Sequence, residues 1–362
     1  MSVLTHCLTP TAERPLVTFA LFSYNQEQFI RQAVESAFAQ TYSPLEIILS
    51  DDCSSDGTFK IMEEMVAAYS GPHRVVLNQN RSNLGLANHI NYLVSLFHGD
   101  WVVTAAGDDI SLPERSERLV ESVMGSGFSC VYSDVMNINA LGENTGICFG
   151  RNRPKIPSIS DLLITSSCWV RGCSACYSLN LFKEFPAINS NVVQEDHVLP
   201  FRALFNGGIL YLDDILVKYR SHSTNLWNVE GRLKKSSKLN HWNQNIIELQ
   251  RKASIVSQWV VDYESISGCD IHLWEKIRRL SVIADLEFQL VTAPTAALAL
   301  QRIQIGSCGS TEKALGVCSF FYRKFRISPI RFILRTFWNH YFFKSSIDYN
   351  LRVGKTNSAD KL

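Results

Sequence analysis

Two hydrophobic patterns alternate along the first hundred residues. Residues 17–22 form a short apolar run without gaps, as expected of a strand buried on both faces. Beyond Ser23-Tyr24-Asn25, the positions Phe29, Ile30, Ala33, Val34, Ala37 and Phe38 share one face at 3.6-residue spacing. Pro44 breaks that pattern. Residues 45–49 read as a second strand ending in Ser50-Asp51-Asp52, and 58–69 as a helix with Phe59, Met62, Val66 and Tyr69 inward. Residues 74–77 predict a third strand, 86–96 a helix, and 101–105 a fourth strand running into Gly107-Asp108-Asp109. Pro113 stands near the start of the next helix, where its missing N–H costs little.

Strands alternating with helices predict an α/β fold: a Rossmann-like, mostly parallel sheet with helices on both faces. Right-handed crossovers bring successive strand ends to one edge, beyond which ligands bind in open sheets. The pairs Asp51/Asp52 and Asp108/Asp109 both stand at such ends. From residue 125 to about 219 the pattern is mixed, with strands expected at 128–133 and 209–212 and a Pro/Ser/Arg-rich loop at 151–160. Beyond about residue 228 strand signals fade, and 246–261 and 274–290 predict helices. The chain divides on this basis into an N-terminal tail (1–14), a sheet domain (15–227) and a helical C-terminal region (228–362).

Composition narrows the class. Of 362 residues, 46% are hydrophobic and 19% charged, which excludes disorder of the whole chain. Lys+Arg 35 against Asp+Glu 34 leaves a net charge of +1, so a polycation built for nucleic acid is not expected. No uninterrupted apolar run reaches the length of a spanning helix. Residues 1–15 lack a basic start followed by an apolar stretch, so the ten scattered cysteines are expected reduced, in the cytoplasm. Cys173 and Cys176 have no second pair for a four-thiolate zinc site and read as core residues.

Four polar constellations carry candidate chemistry. In Asp51-Asp52-Cys53-Ser54-Ser55-Asp56-Gly57-Thr58, Asp56 or Ser55 caps the following helix. Capping needs one carboxylate, however, and two adjacent ones at a buried strand end repel each other. Gly107-Asp108-Asp109 repeats that logic as a hard-oxygen site for a divalent cation, Mg²⁺ or Mn²⁺, with helix capping as the plainer alternative. Gln194-Glu195-Asp196-His197 precedes an apolar helix at 198–205, where acids also suit the helix macrodipole. His222 lies in Tyr219-Arg220-Ser221-His222-Ser223-Thr224-Asn225, after a strand.

The ordered set Phe19–Asn25, Asp51–Thr58, Asn83-Leu84-Gly85 and Gly107-Asp108-Asp109-Ile110, with Pro113 and Arg115 following, resembles the inverting family 2 glycosyltransferases of the GT-A fold. The resemblance runs from about residue 15 to 219. It implies transfer of a sugar from a nucleotide diphosphate donor to a hydroxyl acceptor. It also implies roles. Ser23, Tyr24, Asn25 and Glu27 would line the nucleobase pocket, with Asp52 bonding the base, Asn83 and Gly85 in the donor loop, and Asp108 accepting from the ribose. Asp109 would hold the metal, with His222 as a further ligand. Asp196 would be the general base and Glu195 an acceptor or orienting contact, an assignment the sequence leaves open between the two. Two positions depart from the pattern: Ala106 replaces the first Asp of the longer family form Asp-x-Asp-Asp, and Leu86 stands where a basic residue is common, with Arg81 or His89 as substitutes.

The tail adds one feature. Between Glu312 and Asp348 the charged residues are Lys313, Arg323, Lys324, Arg326, Arg331, Arg335 and Lys344, interleaved with aromatics. Such a segment suits an anionic membrane surface; a packed helical cap or an oligomer contact are its alternatives. The expectation is a cytoplasmic enzyme, peripheral on the inner face of the membrane through 313–347, acting on a glycan or lipid-linked acceptor in cell-surface polysaccharide synthesis. The rival functions are a sugar nucleotidyltransferase and a non-catalytic nucleotide-sugar binding protein of the same fold.

Overall fold

A computed structural model describes residues 14–147, 157–165, 170–223, 225 and 238–292. The segment 313–347 and most of the 151–160 loop lie outside the described residues. The chain divides into two units. The first comprises residues 1–237 and 258–269, and the second 238–257 and 270–362.

The first unit is built on β1 (Val17–Ser23), α1 (Ile30–Phe38), β2 (Leu45–Asp51), α2 (Thr58–Ala67), β3 (Arg74–Gln79), α3 (Leu86–Leu93), β4 (Trp101–Ala106), β5 (Ile110–Ser111) and α4 (Arg115–Val123). There follow β6 (Cys130–Ile138), β7 (Asn144–Ile147), α5 (Ile159–Thr165), β8 (Ala175–Ser178), α6 (Asn180–Lys183), α7 (Leu199–Ala203) and β9 (Ile209–Arg220). Helix α8 (Lys238–Glu264) is divided between the units after residue 257, and α9 (Ile271–Thr292) belongs to the second.

The sheet runs β3-β2-β1-β4-β8-β6-β9-β5, with β7 paired to β6. Its first four strands are parallel; β2 is buried from end to end and β1 throughout except at the half-buried Phe22. Each fully buried Val, Leu or Ile there contributes roughly 1.5–3 kcal/mol. Helix α1 closes one face with Ile30, Ala33, Val34 and Ala37, the spacing its sequence predicts. Strand β3 stays half-exposed because it is the edge.

Register decides what shares a rim. Ser23 pairs with Asp51, Asp51 with Gln79, and Phe22 with Ala106, so the loops after β1, β2, β3 and β4 all leave from one edge. Strand β8 runs antiparallel to β4, so the residues entering it, Gly172–Ser174, arrive at that same edge. Strands β6 and β9 run with β4, and β9 delivers Arg220 and the residues after it there too.

Several elements differ in extent from the pattern reading. Strand β9 continues to Arg220 through exposed polar positions such as Asp213 and Lys218, because it pairs with β6 on one side and β5 on the other. Helix α7 is short: Leu199–Ala203, with Pro200 in its first turn and Gly207-Gly208 in left-handed backbone beyond it. The helix at 86–96 ends as α-helix at Leu93 and finishes with a tighter turn, Val94–Leu96.

Candidate functional site

The rim begins with two loops stitched together. Asn25, with φ of 52°, accepts at Oδ1 from the Ser55 N–H (2.9 Å), and its own N–H donates to Ser54 Oγ (2.8 Å). The Glu27 carboxylate accepts from the Gly57 N–H (2.8 Å), and Asp56 accepts from the Glu27 N–H (3.1 Å) and the Thr58 N–H (3.0 Å). Asp56 thus serves the first N–H of α2 from the position before the N-cap, which is Gly57 rather than Asp56 or Ser55. Tyr24 remains exposed beside this junction.

The paired carboxylates after β2 divide their work. Asp51, fully buried, holds its own turn through the Ser54 N–H (2.9 Å) and Ser54 Oγ, with Gln79 Nε2 at 3.3 Å. Asp52 faces the third loop. Its Oδ1 accepts from Asn80 Nδ2 (2.7 Å) and the Leu84 N–H (2.9 Å), and its Oδ2 from the Gly85 N–H (2.9 Å). Asn83 Oδ1 shares that Gly85 N–H at 2.9 Å. Gly85 stands at φ 74°, a left-handed conformation that favours glycine ahead of α3. His89 is not available to a phosphate: it is buried, its Nε2 lies 2.6 Å from Ser50 Oγ, and burial lowers its pKa. Its place on the inward face of α3 overrides the expectation that it could replace the missing basic residue. Arg81 is exposed on the loop.

After β4, Asp108 and Asp109 point to different partners. Asp108 Oδ2 lies 3.0 Å from His222 Nε2 and accepts from Asn225 Nδ2 (3.2 Å). His222 also packs against the Phe29 ring, centroids 4.4 Å apart. Asp109 Oδ1 accepts from the Arg220 N–H (2.8 Å), while among the described residues its buried Oδ2 accepts from no N–H or O–H. Among those residues the Cys173 thiol, a weak donor, adds a hydrogen bond to this carboxyl. Burial first, then the neighbouring charge of Asp108, pushes Asp109 up to about 8. An orphaned buried carboxylate oxygen is a fitting hard ligand for a divalent cation, with His222 and Asp108 next to it in the same cluster of contacts. Among the described residues, no three His, Cys, Asp or Glu side chains form a ready-made ligand set.

Arg220 and Arg115 frame this pair from beneath. Arg220 donates from Nε to the Asp108 carbonyl (2.8 Å) and from Nη2 to Gln32 Oε1 (2.6 Å), and its guanidinium sits over Phe29. Arg115, fully buried, donates to the Thr104 carbonyl (2.7 Å) and to Ser111 Oγ (2.9 Å).

The acidic segment 195–197 joins from the far side. It is a single tight turn, Glu195–His197, just ahead of α7. The Gly172 N–H donates to Asp196 Oδ2 at 3.3 Å, and the buried Asp196 Oδ1 has no hydrogen-bond partner among the described residues. Burial raises the pKa of Asp196, against the opposing charges of His197 and Arg171. Glu195 is pushed up to about 8, by burial and then by Asp196. A methyl group at Gly172 would stand only 2.1 Å from Glu195 Oε1, so glycine there gives the acidic turn its room.

These pieces form one continuous surface. The Asp52 N–H donates to the Ser23 carbonyl and the Gly107 N–H to the Phe22 carbonyl, both at 2.9 Å. Asp109 meets Cys173, the neighbour of Gly172, and Gly172 binds Asp196. Each step is a contact, so Asp52, Asp108, Asp109 and Asp196 belong to loops joined to one another along one rim of the sheet. Reading the sequence missed Gly172, Arg220 and Asn225 as site residues. The last two were visible within the 219–225 segment, but Gly172 carried no signal beyond being a glycine before a strand.

Residues 18–162 match the family described as Glycosyl transferase family 2. The putative glycosyltransferase EpsE of Bacillus subtilis is 39% identical over 106 residues, which is 29% of this chain and 37% of EpsE. The succinoglycan biosynthesis protein ExoO of Rhizobium meliloti is 34% identical over 146 residues, 40% of each chain. Chondroitin synthase of Escherichia coli is 26% identical over 264 residues, 73% of this chain and 37% of that protein. The chain therefore spans well under two thirds of the length of these relatives. Among solved structures, Staphylococcus aureus TarS 1–349 superposes with a TM-score of 0.52 at 14% identity, covering 84% of this chain and 80% of that one. The mannosyltransferase PcManGT of Pyrobaculum calidifontis, solved with GDP-Man and Mn²⁺, gives a TM-score of 0.50 at 16% identity, covering 89% and 84%. These likenesses establish the fold as GT-A.

Proposed function

We propose, from the match of residues 18–162 to glycosyl transferase family 2, that the protein is an inverting glycosyltransferase. It moves a sugar from a nucleotide diphosphate donor to a hydroxyl of a glycan or lipid-linked acceptor in cell-surface polysaccharide synthesis. The observation that supports this reading is that the loops carrying Asp52, Asp108, Asp109 and Asp196 are joined by contacts along one rim of the sheet. The nucleoside lies along the loops of Ser23, Tyr24, Asn25, Glu27, Asn83 and Gly85. Asp52 holds the third loop against it, and Asp108 faces the ribose beside His222.

Asp109, through its unpaired Oδ2, and His222 are the residues to hold Mn²⁺ or Mg²⁺. A bound divalent cation supplies neutralisation of the charge that builds on the departing diphosphate. Asp196 takes the proton of the acceptor hydroxyl. Its Oδ1 has no partner to displace, the Gly172 N–H fixes Oδ2, and its raised pKa makes the carboxylate a stronger base. Glu195 sits beside it as an orienting contact for the acceptor.

No helix among the described residues is long and apolar enough to cross a membrane. The basic aromatic segment 313–347 supports a peripheral site of action on the inner face of the membrane. The test is release of free nucleoside diphosphate from a panel of nucleotide-sugars with Mn²⁺ and an acceptor extract. One donor should turn over, and Asp196→Asn should lose turnover by 10²-fold or more while still binding that donor. Full activity in Asp196→Asn overturns the assignment of the base, and donor binding without turnover in the unmodified protein favours the non-catalytic alternative.

A further inference from the structure

The acidic turn ends a long irregular stretch. Between α6, which closes at Lys183, and α7, which opens at Leu199, the chain runs without a strand or α-helix for fifteen residues. Buried backbone groups in such a stretch need partners from elsewhere. Among the described residues, α3, α7 and α8 supply such partners. From α3, Asn91 donates at Nδ2 to the Ile188 carbonyl (2.7 Å) and accepts at Oδ1 from the Ile188 N–H (3.0 Å). Others come from the last turns of α8, far along the sequence and outside the family-matching segment. Gln258 Oε1 accepts from the Asn189 N–H at 2.9 Å. Trp259 Nε1–H donates to the carbonyl of His197, the residue after Asp196, at 2.8 Å.

Two further contacts fix those donors. The Trp259 indole lies flat on the Phe201 ring of α7, centroids 5.1 Å apart and planes 6° from parallel. Asp262 binds Arg202 of α7 through both oxygens, at 2.8 and 2.9 Å, and also accepts from Gln258 Nε2 at 2.8 Å. Arg202 in turn donates from Nη2 to the Pro186 carbonyl at 2.7 Å. Arg202, Trp259 and Asp262 are all fully buried. Removing one partner of that ion pair would leave a buried charge uncompensated, so Arg202 and Asp262 serve the fold. Trp259 is different, because its ring packs and its N–H reaches the turn that carries the base.

We infer that Trp259, backed by Gln258, is a positioning residue for the acidic turn: its indole N–H on the His197 carbonyl holds Asp196 in place. The inference rests on Asp196 as the base of the proposed reaction. A loop base displaced by about 1 Å loses on the order of 10²-fold in rate. A turn pinned on one side by Gly172 and on the other by Trp259 has little room for that displacement. A positional role also explains why the 195–197 turn needs no cap from its own side chains.

Trp259→Phe in the full chain tests this: phenylalanine keeps a ring against Phe201 but loses the N–H donor together with part of the indole volume, so loss of packing is read separately in the thermal midpoint. Gln258→Met, which removes the Asn189 contact at similar length, is the second variant. Two quantities are read: peptide-resolved hydrogen exchange across 194–200, and kcat against KM for the donor. The expected result is exchange about tenfold faster over 194–200 and kcat about tenfold lower, with donor KM close to the unmodified protein and a lowered thermal midpoint from the lost packing. Unchanged exchange overturns the inference, and so does faster exchange with unchanged kcat. A fall in thermal midpoint with kcat intact assigns Trp259 to packing alone and equally overturns it. If the unmodified protein releases no nucleoside diphosphate from any donor, the functional reading itself fails, and the role of Trp259 in catalysis goes with it.

Discussion

Gly172→Ala probes the rim at its tightest point. The added methyl would sit 2.1 Å from Glu195 Oε1, 3.3 Å from its Cδ and 3.7 Å from Asp196 Cβ. An ordinary carbon–oxygen contact needs about 3.4 Å, so the Glu195 carboxylate has to retreat by roughly 1 Å. Nothing else obstructs the change. The φ of Gly172 lies outside the left-handed region, its N–H still reaches Asp196, and its carbonyl still accepts from Thr104 Oγ1 (2.5 Å). The fold should therefore lose no more than about 1 kcal/mol, since the displaced atom is the far end of a flexible side chain. Activity should fall far more, by about 10²-fold in kcat, which is what a 1 Å misplacement of a substrate-orienting group costs. The assay is nucleoside diphosphate release under saturating donor, paired with urea unfolding. A double-mutant cycle isolates the cause: on a Glu195→Ala background, Gly172→Ala should cost nothing further in kcat. Equal losses in both backgrounds would show that the methyl acts through the backbone rather than through Glu195, and unchanged kcat in the single variant would remove Glu195 from the reaction.

The parts of this architecture that could be read from sequence are those with local causes. Apolar runs ending in Ser-Asp-Asp or Gly-Asp-Asp announce a buried strand followed by a turn, and those turns do stand together on one rim because β1, β2 and β4 are in matching register. The helix α1 face needed only 3.6-residue spacing. What sequence could not disclose depends on contacts distant in the chain. Gly172 reaches the site because β8 runs against β4, and nothing in four residues of Ala-Cys-Tyr-Ser fixes a direction. Arg220 belongs to the site only because β9 extends past the apolar core that marks it, paired on both sides. Asp52 was legible as a polar rim residue, but not its three donors from residues 80–85, which hold a loop 28 or more positions away. Cys173 shows the same limit. It reads as core by residue type, yet it stands against Asp109 because the tight turn 172–174 places it there.

Two further outcomes follow from the geometry. Asp52→Ala leaves Asn80 Nδ2 and the Leu84 and Gly85 N–H groups without their buried acceptor; the expected loss is about 2–3 kcal/mol by urea unfolding, together with a smaller thermal shift on adding nucleotide. A change under about 0.5 kcal/mol would mean that the third loop does not depend on Asp52. The last concerns pH. Burial, and after it the charge of Asp196, lifts Glu195 from 4.5 to about 8. Between those values the folded protein keeps a proton that the unfolded chain releases, so more protons are bound in the folded state and stability falls as pH rises from about 4.5 through about 8. One pKa unit corresponds to about 1.4 kcal/mol, but Glu195 is partly exposed and solvent screens it, so the realised loss should be about 1–2 kcal/mol. Glu195→Gln cannot ionise and removes this slope. Urea unfolding at pH 5 and pH 8.5 should therefore show the variant close to the unmodified protein at the lower pH and more stable than it at the higher. Parallel pH profiles for the two proteins would refute a half-buried, charge-opposed Glu195, and with it the crowding against Gly172 on which the larger prediction depends.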